Sequence, residues 1–153
     1  MDIRVTINGE PVLWQVKPGE RVLDILRREG FASVKHGCGE GDCGSCTILV
    51  DGETMRACLL LAGQMEGREI TTVDALGTPD KPHPIQKAFV ECGAVQCGFC
   101  TPGMILSAYA LIKRIPDPTE EEVREALDGN LCRCTGYVKI VEAVLVAAKR
   151  MQA

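Results

Sequence analysis

Cys38, Cys43 and Cys46 lie in one glycine-rich loop, Gly37-Cys38-Gly39-Glu40-Gly41-Asp42-Cys43-Gly44-Ser45-Cys46, and Cys58 follows beyond a short hairpin. The spacing C-x₄-C-x₂-C with a later fourth cysteine is the thiolate pattern of a plant-type [2Fe–2S] cluster. Four of the ten loop residues are glycine. The backbone can therefore take positive φ and bring N–H groups close to a negatively charged iron–sulfur core. Structural zinc usually takes its ligands as two short pairs, whereas three thiols share this loop. A Rieske centre needs two histidines, and only His36 is near. A second constellation is Cys97-Gly98-Phe99-Cys100 with Cys132-Arg133-Cys134, thirty-one residues further on. A one-residue gap is unusual for structural zinc, yet spacing alone leaves zinc and iron–sulfur both open at this second site.

The elements that must carry these cysteines change character along the chain. Ile3, Val5 and Ile7 alternate with polar residues, Asn8-Gly9 signals a hairpin, and Val12, Trp14 and Val16 resume the alternation. Val22, Leu23, Ile25 and Leu26 fit one face of a short helix stopped by Gly30. Thr47–Val50 and Thr54–Leu60 are expected to form a second hairpin about Asp51-Gly52, with Cys58 on the returning strand. Glu69–Val73 is expected to be the last strand. This order is that of the β-grasp used by plant-type ferredoxins, a likeness of fold only. Residues 77–84, Gly-Thr-Pro-Asp-Lys-Pro-His-Pro, read as a stiff linker. Helical periodicity follows in four stretches: Ile85–Phe89; Met104–Ile112, opened by Pro102; Val123–Leu127, behind the capping box Thr119-x-x-Glu122; and Val138–Ala148. The fold class expected is α+β. A β-grasp domain spans 1–76, and a small four-helix bundle spans 85–153. Both cysteine pairs of the bundle precede helices, whose N-terminal amides favour thiolate and sulfide.

Net charge is −4, with no basic run and six aromatic residues, which argues against nucleic acid. The first thirty residues mix charges throughout and contain no secretory pattern, and no stretch reaches the length of a membrane span. Nine cysteines without an export signal favour metal ligation in a reducing compartment, so a cytoplasmic metalloprotein is expected. Eight can serve as ligands. The ninth, Cys92, has no partner by pattern and is expected to be a small buried hydrophobe. Trp14 is expected in the core. His36 and His83 are expected to be solvated loop residues, and Glu120–Glu122 a solvated helix start. No acid, base or nucleophile stands out, so no catalytic residue is assigned.

The segments Gln96-Cys97-Gly98-Phe99-Cys100-Thr101-Pro102-Gly103 and Leu131-Cys132-Arg133-Cys134-Thr135-Gly136-Tyr137, taken with the Gly37–Cys46 loop, resemble the small iron–sulfur subunit of the molybdenum hydroxylases. This is the family of xanthine oxidase, aldehyde oxidoreductase and aerobic carbon monoxide dehydrogenase. The resemblance covers essentially the whole chain, in the family's order. It implies two [2Fe–2S] clusters, at Cys38/Cys43/Cys46/Cys58 and at Cys97/Cys100/Cys132/Cys134. It also implies a large molybdopterin-binding subunit and, often, a medium FAD-binding subunit, in a heterotrimer or its dimer. Gln96 and Cys134 would approach the pterin. Electrons would leave through the plant-type cluster to flavin or another acceptor. Two other readings compete: a freely diffusing two-cluster ferredoxin, for which −4 is a weak steering charge, and a two-zinc interaction module.

Overall fold

In the computed structural model, which describes residues 1–153, the alternating N-terminal segment forms β1 (Asp2–Ile7), with Ile3, Val5 and Ile7 buried. Asn8 and Gly9 (φ +52° and +86°) make the tight turn into β2 (Glu10–Gln15), which pairs antiparallel with β1. Asp51 and Gly52 (φ +51° and +87°) do the same between β3 (Thr47–Val50) and β4 (Glu53–Arg56). A last strand, β5 (Glu69–Thr71), inserts between them, parallel to β1 and antiparallel to β3, giving the order β2-β1-β5-β3-β4. Helix α1 (Val22–Arg28) buries Val22, Leu23, Ile25 and Leu26 completely against this sheet. Each such side chain contributes about 1.5–3 kcal/mol relative to exposure. Gly30 at φ +94° ends the helix in a Schellman turn, with Phe31 N–H donating to Leu26 O at 2.9 Å and Gly30 N–H to Arg27 O at 3.3 Å.

Two strands are shorter than their sequence suggests. The chain leaves the ladder after Arg56, so Cys58 sits in a turn closed by Leu59 N–H on Arg56 O (2.9 Å) and not on a returning strand. The free amides at the start of α1 account for this. Leu23 N–H takes Ala57 O at 3.1 Å and Val22 N–H takes Leu60 O at 2.9 Å, drawing the segment around Cys58 onto the helix end. β5 stops at Thr71 because Thr72 N–H turns aside to the Asn8 side chain (2.8 Å) and residues 73–75 tighten into a 3₁₀ turn.

The second half is four helices, α2 (Pro84–Glu91), α3 (Thr101–Arg114), α4 (Glu120–Leu127) and α5 (Val138–Gln152), around Ile85, Phe89, Met104, Val123, Ile140 and Val144. α2 begins at Pro84, the last residue of the expected linker. Thr119 and Glu122 close the capping box, with Glu122 N–H on Thr119 Oγ1 at 3.3 Å and Thr119 N–H on Glu122 Oε2 at 2.7 Å. His83 departs from the solvated loop expected of it. It is half-buried, its Nδ1 accepts from Ile85 N–H at 3.2 Å at the head of α2, and its ring edge meets Tyr109 with centroids 5.6 Å apart. α3 packs against β3 and β4. That contact buries all four residues of β3 on both faces, and Leu49 and Leu106 are buried outside either core, on the elements that meet.

Candidate metal centres

The first cysteine loop runs between α1 and β3. Gly39, Gly41 and Gly44 take φ of +75°, +87° and +73°, the left-handed conformations that the glycine content made available. Gly37 serves differently: a Cβ there would stand 2.7 Å from Cys43 Sγ and 3.0 Å from Ser45 Oγ. The loop wraps its amides around sulfur. Glu40 N–H and Cys43 N–H reach Cys38 Sγ at 3.4 Å, and Cys38 N–H reaches Cys43 Sγ at 3.4 Å. The donations from Cys43 and Glu40 hold the Cys38 thiol down at about 6. Cys46 and Cys58 lie inside the sheet core at 2% and 3% exposure, and burial pushes the Cys46 thiol up to about 11. Cys38 neighbours Cys43, Cys46 neighbours Cys58, and Cys46 also feels the charge of Cys43. The four thiols therefore stand together as an outer pair and an inner pair.

The second group repeats that plan on helices. Cys100 is the N-cap residue of α3, after Gly98 at φ +83°. Burial pushes its thiol up to about 12, with Cys132 as its hydrogen-bonding neighbour. Cys97 and Cys134 form the outer pair, their sulfurs 3.5 Å apart, and this contact raises the Cys134 thiol. At Cys132 burial acts upward, but the Thr135 hydroxyl at 3.0 Å and the Thr135 amide at 3.5 Å outweigh it and the net shift is down. Tyr137, a non-glycine residue at φ +70°, accepts Cys132 N–H on its hydroxyl at 2.9 Å. No three His, Cys, Asp or Glu side chains are grouped to share one metal ion; the thiols meet two by two. Eight sulfurs met in pairs, with N–H and O–H groups aimed at them, suit a two-iron cluster at each group. A surface hollow lies over β2 and α1, and no cysteine lines it.

The two groups are tied to each other through the backbone. Leu131 N–H, next to Cys132, donates to the carbonyl of Cys43 at 2.9 Å. Asn130, 3% exposed, donates from Nδ2 to Gly44 O (3.2 Å) and Thr47 Oγ1 (3.3 Å) and accepts Ser107 O–H at 2.8 Å. Arg56 reaches from β4 to Thr47 Oγ1 and Gly129 O, both at 2.7 Å.

Residues 5–74 match the model of a 2Fe-2S iron–sulfur cluster binding domain, and residues 72–145 that of a [2Fe-2S] binding domain. The small FeS subunit of nicotinate dehydrogenase from Eubacterium barkeri is 49% identical over 149 residues, covering 97% of this chain and 95% of that one. The iron–sulfur-binding subunit of xanthine dehydrogenase from Escherichia coli O157:H7 is 46% identical, covering 96% and 94%. Among solved structures, quinoline 2-oxidoreductase from Pseudomonas putida superposes with a TM-score of 0.93 at 46% identity, covering 100% of this chain and 98% of that one. The chain belongs to the iron–sulfur subunits of the molybdenum hydroxylases. It is thus the iron–sulfur subunit of a molybdenum-containing oxidoreductase complex, as the sequence resemblance implied. The aldehyde oxidoreductase of Desulfovibrio desulfuricans shares the α+β fold at a TM-score of 0.96 and 41% identity, there as 17% of a longer chain.

Within this molybdenum hydroxylase subunit, the predicted ligand thiols stand as neighbouring pairs, Cys38 with Cys43, Cys46 with Cys58, Cys97 with Cys134 and Cys100 with Cys132. Gln96 is exposed beside Cys97, His36 is exposed, Cys92 is half-buried against the helical core, and Trp14 is buried at 2% exposure with its indole N–H unpartnered. No helix is long and apolar enough to cross a membrane. Sequence reasoning missed Ser45, Thr135 and Tyr137 near the thiols, and Arg56, Ser107 and Asn130 between the halves. A hydroxyl within three residues of a ligand cysteine was a readable signal for the first two. The cross-half residues carry no local signal.

Proposed function

We propose that this chain conducts electrons from a molybdopterin centre in a large partner subunit to an FAD-binding subunit or another acceptor. Cys97, Cys100, Cys132 and Cys134 would hold the cluster on the molybdenum side, and Cys38, Cys43, Cys46 and Cys58 the plant-type cluster on the exit side. A [2Fe–2S] cluster, when bound, takes up and gives up one electron at a time. The chain's own residues supply thiolates, aim backbone N–H groups at them and keep Cys46 and Cys58 away from water, with Cys100 and Cys132 half-buried. The observation that carries the reading is the pairing of the predicted thiols, Cys38 with Cys43, Cys46 with Cys58, Cys97 with Cys134 and Cys100 with Cys132.

The apolar surroundings of the helical pair support its orientation. Cys97 and Cys134 are open at the surface, and apolar Phe99, Leu131 and Val138, each within four residues of one of them in sequence, are 43%, 55% and 63% exposed. Apolar side chains around an open sulfur pair suit a docked subunit better than a diffusing carrier, so Gln96 and Cys134 are assigned to the pterin side. The remaining assignments are a domain from 1–76, a linker at 77–84, a helical domain from 85–153, a heterotrimer or its dimer, and a cytoplasmic site. The test is the purified complex. Roughly four irons with matching sulfide per copy of this chain and two [2Fe–2S] signals in electron paramagnetic resonance are expected. Cys134→Ser should remove the helical signal and leave the other. A colourless protein loaded with zinc would sink the reading.

A further inference from the structure

We propose that Thr135 and Ser45 set the reduction potentials of the two clusters, each by donating its hydroxyl proton to one ligand sulfur. The inference rests on the ligand assignment above. Thr135 Oγ1 lies 3.0 Å from Cys132 Sγ, and Ser45 Oγ lies 3.2 Å from Cys43 Sγ. A sulfur bound to iron has no hydrogen, so in the loaded protein the hydroxyl is the only possible donor of each pair. The fold also fixes the direction at Thr135. Its oxygen accepts Tyr137 N–H at 3.3 Å, which turns the hydroxyl proton towards sulfur, and its own amide aims at the same sulfur at 3.5 Å. Gly136, at φ +68°, turns the chain so that the Tyr137 amide comes back onto Thr135, a left-handed conformation that glycine takes without Cβ strain. Ser45 is 6% exposed, and Cys43 Sγ is its hydroxyl's one partner. Gly37 keeps the place clear, since any Cβ there would press on both atoms.

A donor to sulfur stabilises the more negative, reduced cluster over the oxidised one, so it raises the potential of the cluster it touches. The two hydroxyls lie in different loops and touch different quartets, so their effects should separate. The experiment is a dithionite titration of the purified complex followed by electron paramagnetic resonance, with Cys134→Ser identifying the helical signal. Thr135→Val should make the helical cluster harder to reduce by a three- to tenfold change in its reduced-to-oxidised ratio, about 30–60 mV at the one-electron value of about 59 mV per decade. The plant-type midpoint should not move. Ser45→Ala should reverse the pattern, and Thr135→Ser, which keeps the hydroxyl, should stay near wild type.

Unmoved midpoints in both variants, or a Thr135→Ser protein displaced as far as Thr135→Val, would overturn the proposal. Loss of iron and sulfide from the helical site in Thr135→Val would make that hydroxyl a structural anchor and overturn it there. A wild-type complex lacking two [2Fe–2S] signals would instead remove the ligand assignment beneath it.

Discussion

Gly103→Ala sets two well-measured effects against each other. In an open helix, replacing glycine by alanine stabilises by about 1 kcal/mol. Gly103 lies in the first turn of α3, and a Cβ there would come well inside 3.0 Å of the Gly44 carbonyl oxygen and to 3.1 Å of Asn130 Nδ2. Both obstacles belong to the seam between the halves, and one of them is backbone. Relief requires α3 to retreat from the first cysteine loop by several tenths of an ångström. That stretches Asn130 Nδ2–Gly44 O, already 3.2 Å, and Leu131 N–Cys43 O, now 2.9 Å. Overpacking costs about 1–3 kcal/mol and each of the two weakened bonds about 0.5–1.5 kcal/mol, so the helix gain is exceeded and a net loss of about 1–5 kcal/mol remains. For a chain of this size that is a fall of about 2–20 °C in melting temperature. Melting of the metal-loaded protein, followed by circular dichroism and visible absorption, reads it. Gly63→Ala, exposed with nothing within 4 Å of its new Cβ, is the control and should be unchanged or slightly more stable. A Gly103→Ala protein as stable as wild type would refute the close seam.

Metal-free protein alkylated at pH 7 should label Cys38 ahead of Cys46 and Cys100. The first is held near 6 and largely thiolate while the others sit near 11 and 12, and its advantage should fade as pH drops through about 6; peptide mapping checks the order. His83 has its pKa lowered by burial and then by Lys113, so its contribution to stability is complete above the unfolded value of 6.5 and is lost as pH falls towards the lower folded value. Wild type should therefore lose more melting temperature than His83→Asn, which keeps a cap acceptor, between pH 8 and pH 5; equal losses would refute it. Thr119→Ala removes the acceptor at the head of α4 and should cost about 1 kcal/mol, or about 2–4 °C in the same melt.

Local chemistry was legible in the residues. Ile3, Val5 and Ile7, the turns at Asn8-Gly9 and Asp51-Gly52 and the Thr119–Glu122 box each signal within a few positions, and each is found where the pattern put it. What escaped depends on partners far away in sequence. The strand through Cys58 is cut short by amides of α1, which no property of residues 54–60 announces. His83 looked like a loop histidine because Tyr109, its neighbour in space, lies on another helix. β3 shows no alternation because α3 covers its second face. Arg56 and Asn130 read as ordinary polar residues until their acceptors at Gly129 and Gly44 are seen.

The hydrogen bond from Asn130 to Gly44 spans 86 residues, and this has a consequence during synthesis. A ribosome adding about 5–20 residues per second delivers the first sulfur-bearing loop some 4–17 s before the amide that steadies it. Until then the Cys43 carbonyl lacks the Leu131 amide, and Gly44 O holds only the amide and hydroxyl of Thr47. The site that is translated first therefore waits for residues 130 and 131 to complete its backbone, and nascent chains stalled before codon 130 should hold it unfinished.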